Sequence, residues 1–250
     1  VSDAFLKAPI TTNPDGKPGV RLHVDAGPDS VMNPLTGRKW GVLSRSTADD
    51  LPYQAQTGTL TATKEYDWTQ FDAIKSRHFA PSMRSAVFHY AVFLNTQPTV
   101  PPTPPDTSGL SRGIIGADFL VSLGHPIWSP LTATAIGTDF EQAGTFMHEL
   151  GHNLGLRHGG FEDSPEYKPN YLSVMNYSFQ TEGLLERNGQ RGFDYSRTKL
   201  ELLNEGDLDD NVGIDDPAMH FTLWRCGPPA PDNLYYRKFF PSRALDWNRN

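Results

Sequence analysis

Residues 148–158 read His-Glu-Leu-Gly-His-Asn-Leu-Gly-Leu-Arg-His. His148 and His152 stand four apart, so on an α-helix they share a face about one turn, ~5–6 Å, apart. That separation lets two imidazoles close on one metal ion. Glu149 is one position on, rotated by about 100° around the axis, where it flanks the metal and can hold the proton of a bound water. Gly155 can take the left-handed backbone that ends a helix and turns the chain, which brings His158 back as a third ligand. Three imidazoles with a fourth position open form a catalytic type of zinc site, because structural sites are usually closed by four protein ligands. Glu162, Glu166 and Glu182 are also available as a third ligand, yet His158 fits the spacing without help. With 8 histidines in 250 residues, a chance match of the five fixed positions is on the order of 10⁻⁷ per starting point.

Something must hold these ligands rigidly. Thr138 followed by Glu141 is a capping box, and Phe140, Ala143, Met147, Leu150 and Leu154 recur at three- and four-residue spacing. This predicts a helix whose apolar stripe lies on a sheet while the histidines look away from it. Upstream, Trp68, Phe71, Ile74 and Phe79 predict a second amphipathic helix within 66–79. The alternation of Val20, Leu22 and Val24 predicts a half-buried strand. The nearly continuous apolar run 86–94 predicts a central strand, and its His89 reads as packed rather than functional. Residues 116–124 read as another strand, and 97–108, with five prolines, as an exposed loop. Past Tyr177 the best helix candidate is 199–208.

The zinc run resembles the extended signature of the metzincin metallopeptidases, H-E-x-x-H-x-x-G-x-x-H, at every fixed position. Ser173-Val174-Met175-Asn176-Tyr177 is similar to the Met-turn of that clan, in the form with Tyr two residues after Met. The resemblance covers about 30 residues. It implies a zinc-dependent endopeptidase in which Met175 forms an apolar floor under the metal and the Tyr177 hydroxyl reaches the zinc or the developing oxyanion. Glu149 is then the general base. The fold expected is α/β (α+β). An upper subdomain, 1–155, carries a twisted mixed sheet and two long helices, and an irregular lower one, 156–250, supplies His158, the Met-turn and one helix. The resemblance further implies an extended peptide bound along an antiparallel edge strand, here assigned to 116–124. The residue after the third histidine is Gly159, which leaves the subfamily open. A zinc-retaining binding or toxin-like module is the alternative, although its simplest sign would be loss of Glu149.

Composition sets the remaining bounds. A net charge of −7 argues against nucleic acid as a partner, and no apolar run is long enough for a membrane span. Protein or peptide substrates and a monomer are expected. Cys226 is the only cysteine, so no intramolecular disulfide forms, which points toward a bacterial or similar secreted enzyme. Between Glu162 and Asp216 there are 13 acidic and 5 basic residues, net −8. Within that acidic stretch Glu205, Asp207, Asp209, Asn211, Asp215 and Asp216 crowd together. Asp207, Asp209, Asn211 and Asp215 are the candidate ligands of a calcium ion. Asp246, Asn248 and Asn250 make a similar start.

Overall fold

The computed structural model describes the chain apart from residues 27–29, 31, 34–36, 40–50, 80–82, 102–106, 129–135, 165, 205, 210, 212, 215, 219, 227–234 and 240–250. In chain order the elements are α1 (Ser2–Leu6), β1 (Met32–Asn33), β2 (Arg38–Lys39), β3 (Thr59–Leu60), β4 (Tyr66–Asp67), α2 (Thr69–His78), β5 (Tyr90–Leu94), β6 (Gly109–Ser111), β7 (Asp118–Ser122), α3 (Asp139–Asn153), β8 (Leu184–Leu185), β9 (Arg191–Gly192), β10 (Thr222–Cys226) and β11 (Tyr235–Phe239). This is a mixed α/β chain with small sheets and few helices. No described helix is long and apolar enough to cross a membrane.

The chain divides into two compact units: Arg21–Leu154 with Ser2, and Gly155–Asn250 with Val1 and Asp3–Val20. The Arg21–Leu154 unit is organised by a three-stranded mixed sheet in the order β5-β7-β6. β5 runs parallel to β7, pairing Tyr90 with Asp118 and Leu94 with Ser122. β6 runs antiparallel to β7, pairing Gly109 with Val121 and Ser111 with Phe119. All five residues of β7 are buried, which a strand tolerates only when both its edges and both its faces are covered.

Three strand expectations fail. Residues 116–124 do not form an edge: β7 is central, and the antiparallel edge is the three-residue β6, whose Gly-Leu-Ser sequence carries no strand pattern. Nor is the apolar run 86–94 a covered central strand. Its ladder starts only at Tyr90, whose N–H reaches Ala117 O at 2.7 Å, and as an edge strand it leaves Phe93 half exposed. The strand expected at 20–24 does not form either.

Helix α2 lies within the expected 66–79. Phe71 is its buried anchor, in a cluster with Tyr66, Val92 and Leu120. Edge-to-face contacts run from Tyr66 to Trp68 (5.0 Å), Trp68 to Phe71 (5.0 Å) and Phe71 to Tyr90 (5.7 Å), the arrangement that ring quadrupoles favour. At the polar margin Lys75 pairs with Asp118 at 2.5 Å. Arg112 holds both oxygens of Asp72, at 2.5 and 3.0 Å.

The Gly155–Asn250 unit has little regular structure. Its core joins Leu172, Phe179, Leu184, Ile214 and Leu223, with Leu200 and Leu203 packed on it. The hairpins β8–β9 and β10–β11 complete it. The helix expected over 199–208 is absent from the described residues of that stretch. Asn204 instead accepts Gly206 N–H on its side chain (3.2 Å) and Asp207 N–H on its carbonyl (2.9 Å), a local turn that competes with helix. Asp216 is turned inward and buried. It accepts from Ala218 N at 3.1 Å and His220 N at 2.7 Å, and lies 2.9 Å from His220 Nδ1.

Burial pushes the Asp216 carboxyl up, but the hydrogen bonds from His220 and Ala218 outweigh it and leave the group below the ordinary carboxylate range. A carboxyl with a lowered folded pKa stabilises fully above its unfolded value of about 4, and that stability is lost as pH falls through the folded value. Asp216→Ala is therefore expected to cost about 2–3 kcal/mol at pH 7 by stranding buried donors. The gap from the unsubstituted chain should narrow in urea unfolding below about pH 4. A gap that is equal at both pH values contradicts this account.

Candidate metal centre

Helix α3 begins with the capping box read from the sequence. Thr138 takes Glu141 N–H on its Oγ1 at 3.2 Å, and Glu141 Oε2 takes Thr138 N–H at 2.7 Å. The second half of the helix is enclosed almost completely: Met147, His148, Glu149, Leu150, His152 and Asn153 are all buried. His148 and His152 face one another with ring centroids 4.8 Å apart and planes at 88°. The helix stops after Asn153, and Gly155 at φ +95° makes the turn that a residue with a Cβ resists. A one-turn hairpin follows, with Arg157 bridged to Gly160, and it presents His158.

The ligand atoms of His148, His152 and His158 all lie within 4.8 Å of one another. The set spans eleven consecutive residues, so its grouping is a local property of the helix end and the turn after it. Among the described residues no other group of three or more His, Cys, Asp or Glu side chains comes together in this way. The donor chemistry suits a divalent metal that accepts imidazole. A metal ion of that kind, if bound, would be held by these three imidazoles. Burial holds the His158 imidazole below its ordinary value, opposed in part by the negative charge of Asp163, and this favours the neutral ring that ligates. Asp163 Oδ1 is 3.8 Å and Glu166 Oε1 4.0 Å from His158 Nδ1, while Asp163 is itself held by Arg157 at 2.6 Å.

Glu149 is 4 % exposed. Burial pushes its carboxyl up to about 8, against a backbone hydrogen bond from Ser111. Tyr177 is 38 % exposed and lays its ring against His158, with centroids 4.3 Å apart. Tyr167 follows at 5.8 Å from Tyr177. Met175 is wholly buried in a tight turn: its N–H meets Ser173 Oγ at 3.1 Å, and Asn176 Nδ2 ties the turn to Lys168 O and Tyr171 O at 2.8 and 3.1 Å.

The calcium set does not gather among the described residues. Asp207, Asp209 and Asn211 are exposed, and Asp209 Oδ1 is occupied by the backbone and side-chain N–H groups of Asn211 at 2.8 and 3.1 Å. The neighbouring Asp216 is committed to His220. Asp215, Glu205, Asp246, Asn248 and Asn250 lie outside the described residues. Glu182 is engaged with Arg191 at 3.1 Å.

Sequence reasoning passed over Asn153. It is 1 % exposed, and its side chain meets Ser111 Oγ, Asp118 O and His89 Nδ1 at 2.6, 3.2 and 2.9 Å. His89 is accordingly a hydrogen-bonding partner of α3 rather than simple packing. An uncharged amide directly after the second histidine, on a helix expected to be buried, was the available signal.

If the three imidazoles are one site, the unsubstituted chain takes up one zinc per molecule in equilibrium dialysis. His148→Ala, His152→Ala and His158→Ala should each reduce uptake to near zero at micromolar zinc, and only the unsubstituted chain should gain melting temperature on zinc addition. Undiminished uptake in any one variant removes that histidine from the site. No family model, curated protein or solved structure matches this chain, so the case for the site rests on its own geometry.

Proposed function

We propose that the chain is a secreted zinc-dependent endopeptidase of the metzincin type, hydrolysing peptide bonds in proteins. The observation that carries this reading is the three-histidine cluster, with Glu149 the next residue after His148 on the same buried helix. His148, His152 and His158 would hold the metal. When bound, zinc supplies a Lewis acid for the scissile carbonyl and a water whose pKa is lowered toward ~7.

The rest of the work belongs to the chain's own groups. Glu149 takes a proton from the attacking water on its carboxylate and delivers it to the leaving amine. The partly exposed Tyr177, packed on His158, offers a hydroxyl to the carbonyl oxygen as charge builds there. Enclosure of the helix behind them limits the motion of ligands and base, which preorganisation requires.

The kinetic test is a pair of substitutions assayed on casein. Glu149→Ala should retain one zinc per chain and lose activity by about 10³-fold or more, while Tyr177→Phe should lower kcat much more than it raises KM. Near-normal cleavage by the Glu149 variant sinks the mechanism, and a pure KM effect rejects the Tyr177 role. If the zinc-loaded unsubstituted chain cleaves no protein, a zinc-retaining binding module takes the place of this reading.

A further inference from the structure

Glu149 is enclosed on α3, and the wall it rests against is strand β6. Gly109 lies in that wall. A Cβ built on it would stand 2.7 Å from Glu149 Oε1, 2.8 Å from Glu149 Cγ and 2.8 Å from the carbonyl oxygen of Leu120. Leu120 is the fully buried middle residue of the central strand, so that oxygen cannot yield without moving the sheet. A side chain at position 109 displaces Glu149 or the strand itself. Gly109 sits in extended β6, and what demands glycine there is space.

Two residues on, Ser111 acts on the same helix twice. Its backbone N–H goes to the Glu149 carboxyl, and its Oγ accepts from Asn153 Nδ2 at 2.6 Å. Asn153 reaches further, donating to Asp118 O at 3.2 Å and meeting His89 Nδ1 at 2.9 Å. Its backbone carbonyl accepts from Gly116 N at 3.1 Å. The last turn of α3 is thus tied to both β6 and β7 by the residue that follows His152.

Resting on the reading of Glu149 as general base, we infer that Gly109, Ser111 and Asn153 are positioning residues that fix the carboxyl of Glu149 in one orientation. None of them touches the reacting atoms. Their effect passes through Glu149, so it should appear in the chemical step rather than in substrate binding. Misplacement of a catalytic group by about 1 Å costs on the order of 10²-fold in rate.

The test uses the full chain in four forms: unsubstituted, Gly109→Ala, Ser111→Ala and Ser111→Thr. Zinc-loaded Gly109→Ala should keep one zinc per chain, lose about 10- to 100-fold in kcat and hold KM within about twofold. Ser111→Ala should lower kcat in the same sense, and Ser111→Thr, which keeps the hydroxyl, should restore it. Independently of activity, the Ser111 amide resonance of ¹⁵N-labelled metal-free protein should move upfield in Glu149→Ala and in the same direction in Gly109→Ala. A folded Gly109→Ala with normal kcat, or a Ser111 amide indifferent to both substitutions, overturns the inference. Should Gly109→Ala fail to fold, the Ser111 pair decides: equal kcat in Ala and Thr forms overturns it. If the unsubstituted chain cleaves nothing, the peptidase reading falls and the amide shifts alone decide whether these residues fix the Glu149 carboxyl.

Discussion

The second half of α3 has to be buried although its sequence is polar. His148, Glu149, His152 and Asn153 stand within six residues of one another, and none is more than 7 % exposed. Taking such groups out of water without partners costs roughly 1–3 kcal/mol each, and far more for a charge. Each therefore needs a partner supplied by the fold. Asn153 finds three in Ser111, Asp118 and His89. Glu149 has the backbone of Ser111 and a rise in pKa that lets it shed its charge. The ligand atoms of the two imidazoles lie within 4.8 Å of one another and of His158, a group that could hold a metal ion.

Much of the surrounding structure follows from this demand. The central strand β7 is buried along its whole length because it backs the helix. The edge strand β6 begins with glycine because Glu149 occupies the space that a Cβ would fill. The capping box at Thr138 fixes where α3 starts, and Gly155 fixes where it turns, so the three histidines meet within a single local segment. Tyr177 lies tilted against the one histidine of the set that lies past the helix, in a unit held together by Leu172, Phe179, Leu184, Ile214 and Leu223.

What the sequence disclosed was mostly local. The histidine spacing, the capping box and the α2 pattern depend on residues within a few turns of one another, and each reappears in the structure. The order of the strands was not legible, because a three-residue strand such as Gly109–Ser111 carries no periodicity and its pairing is chosen by β7 from across the unit. The run 86–94 misled through its apolar content, which at an edge is spent on half-exposed residues such as Phe93. The stretch 199–208 was the best helix candidate past Tyr177, while the Asn204 turn took backbone hydrogen bonds there. Asp216 counted toward an acidic cluster in the sequence, yet its carboxylate is turned inward to His220. Asn153 and Gly109 were silent for a related reason: their importance lies in what approaches them in space.

The end of α3 and the turn after it bring together three imidazoles that could share one metal ion. Zinc K-edge X-ray absorption of the loaded protein tests this most directly. The account predicts about four nitrogen or oxygen neighbours at about 2.0–2.1 Å, with outer-shell scattering from three imidazole rings that diminishes by one ring in His158→Ala. A first shell of sulfur, or of five or six oxygens without imidazole scattering, would contradict it.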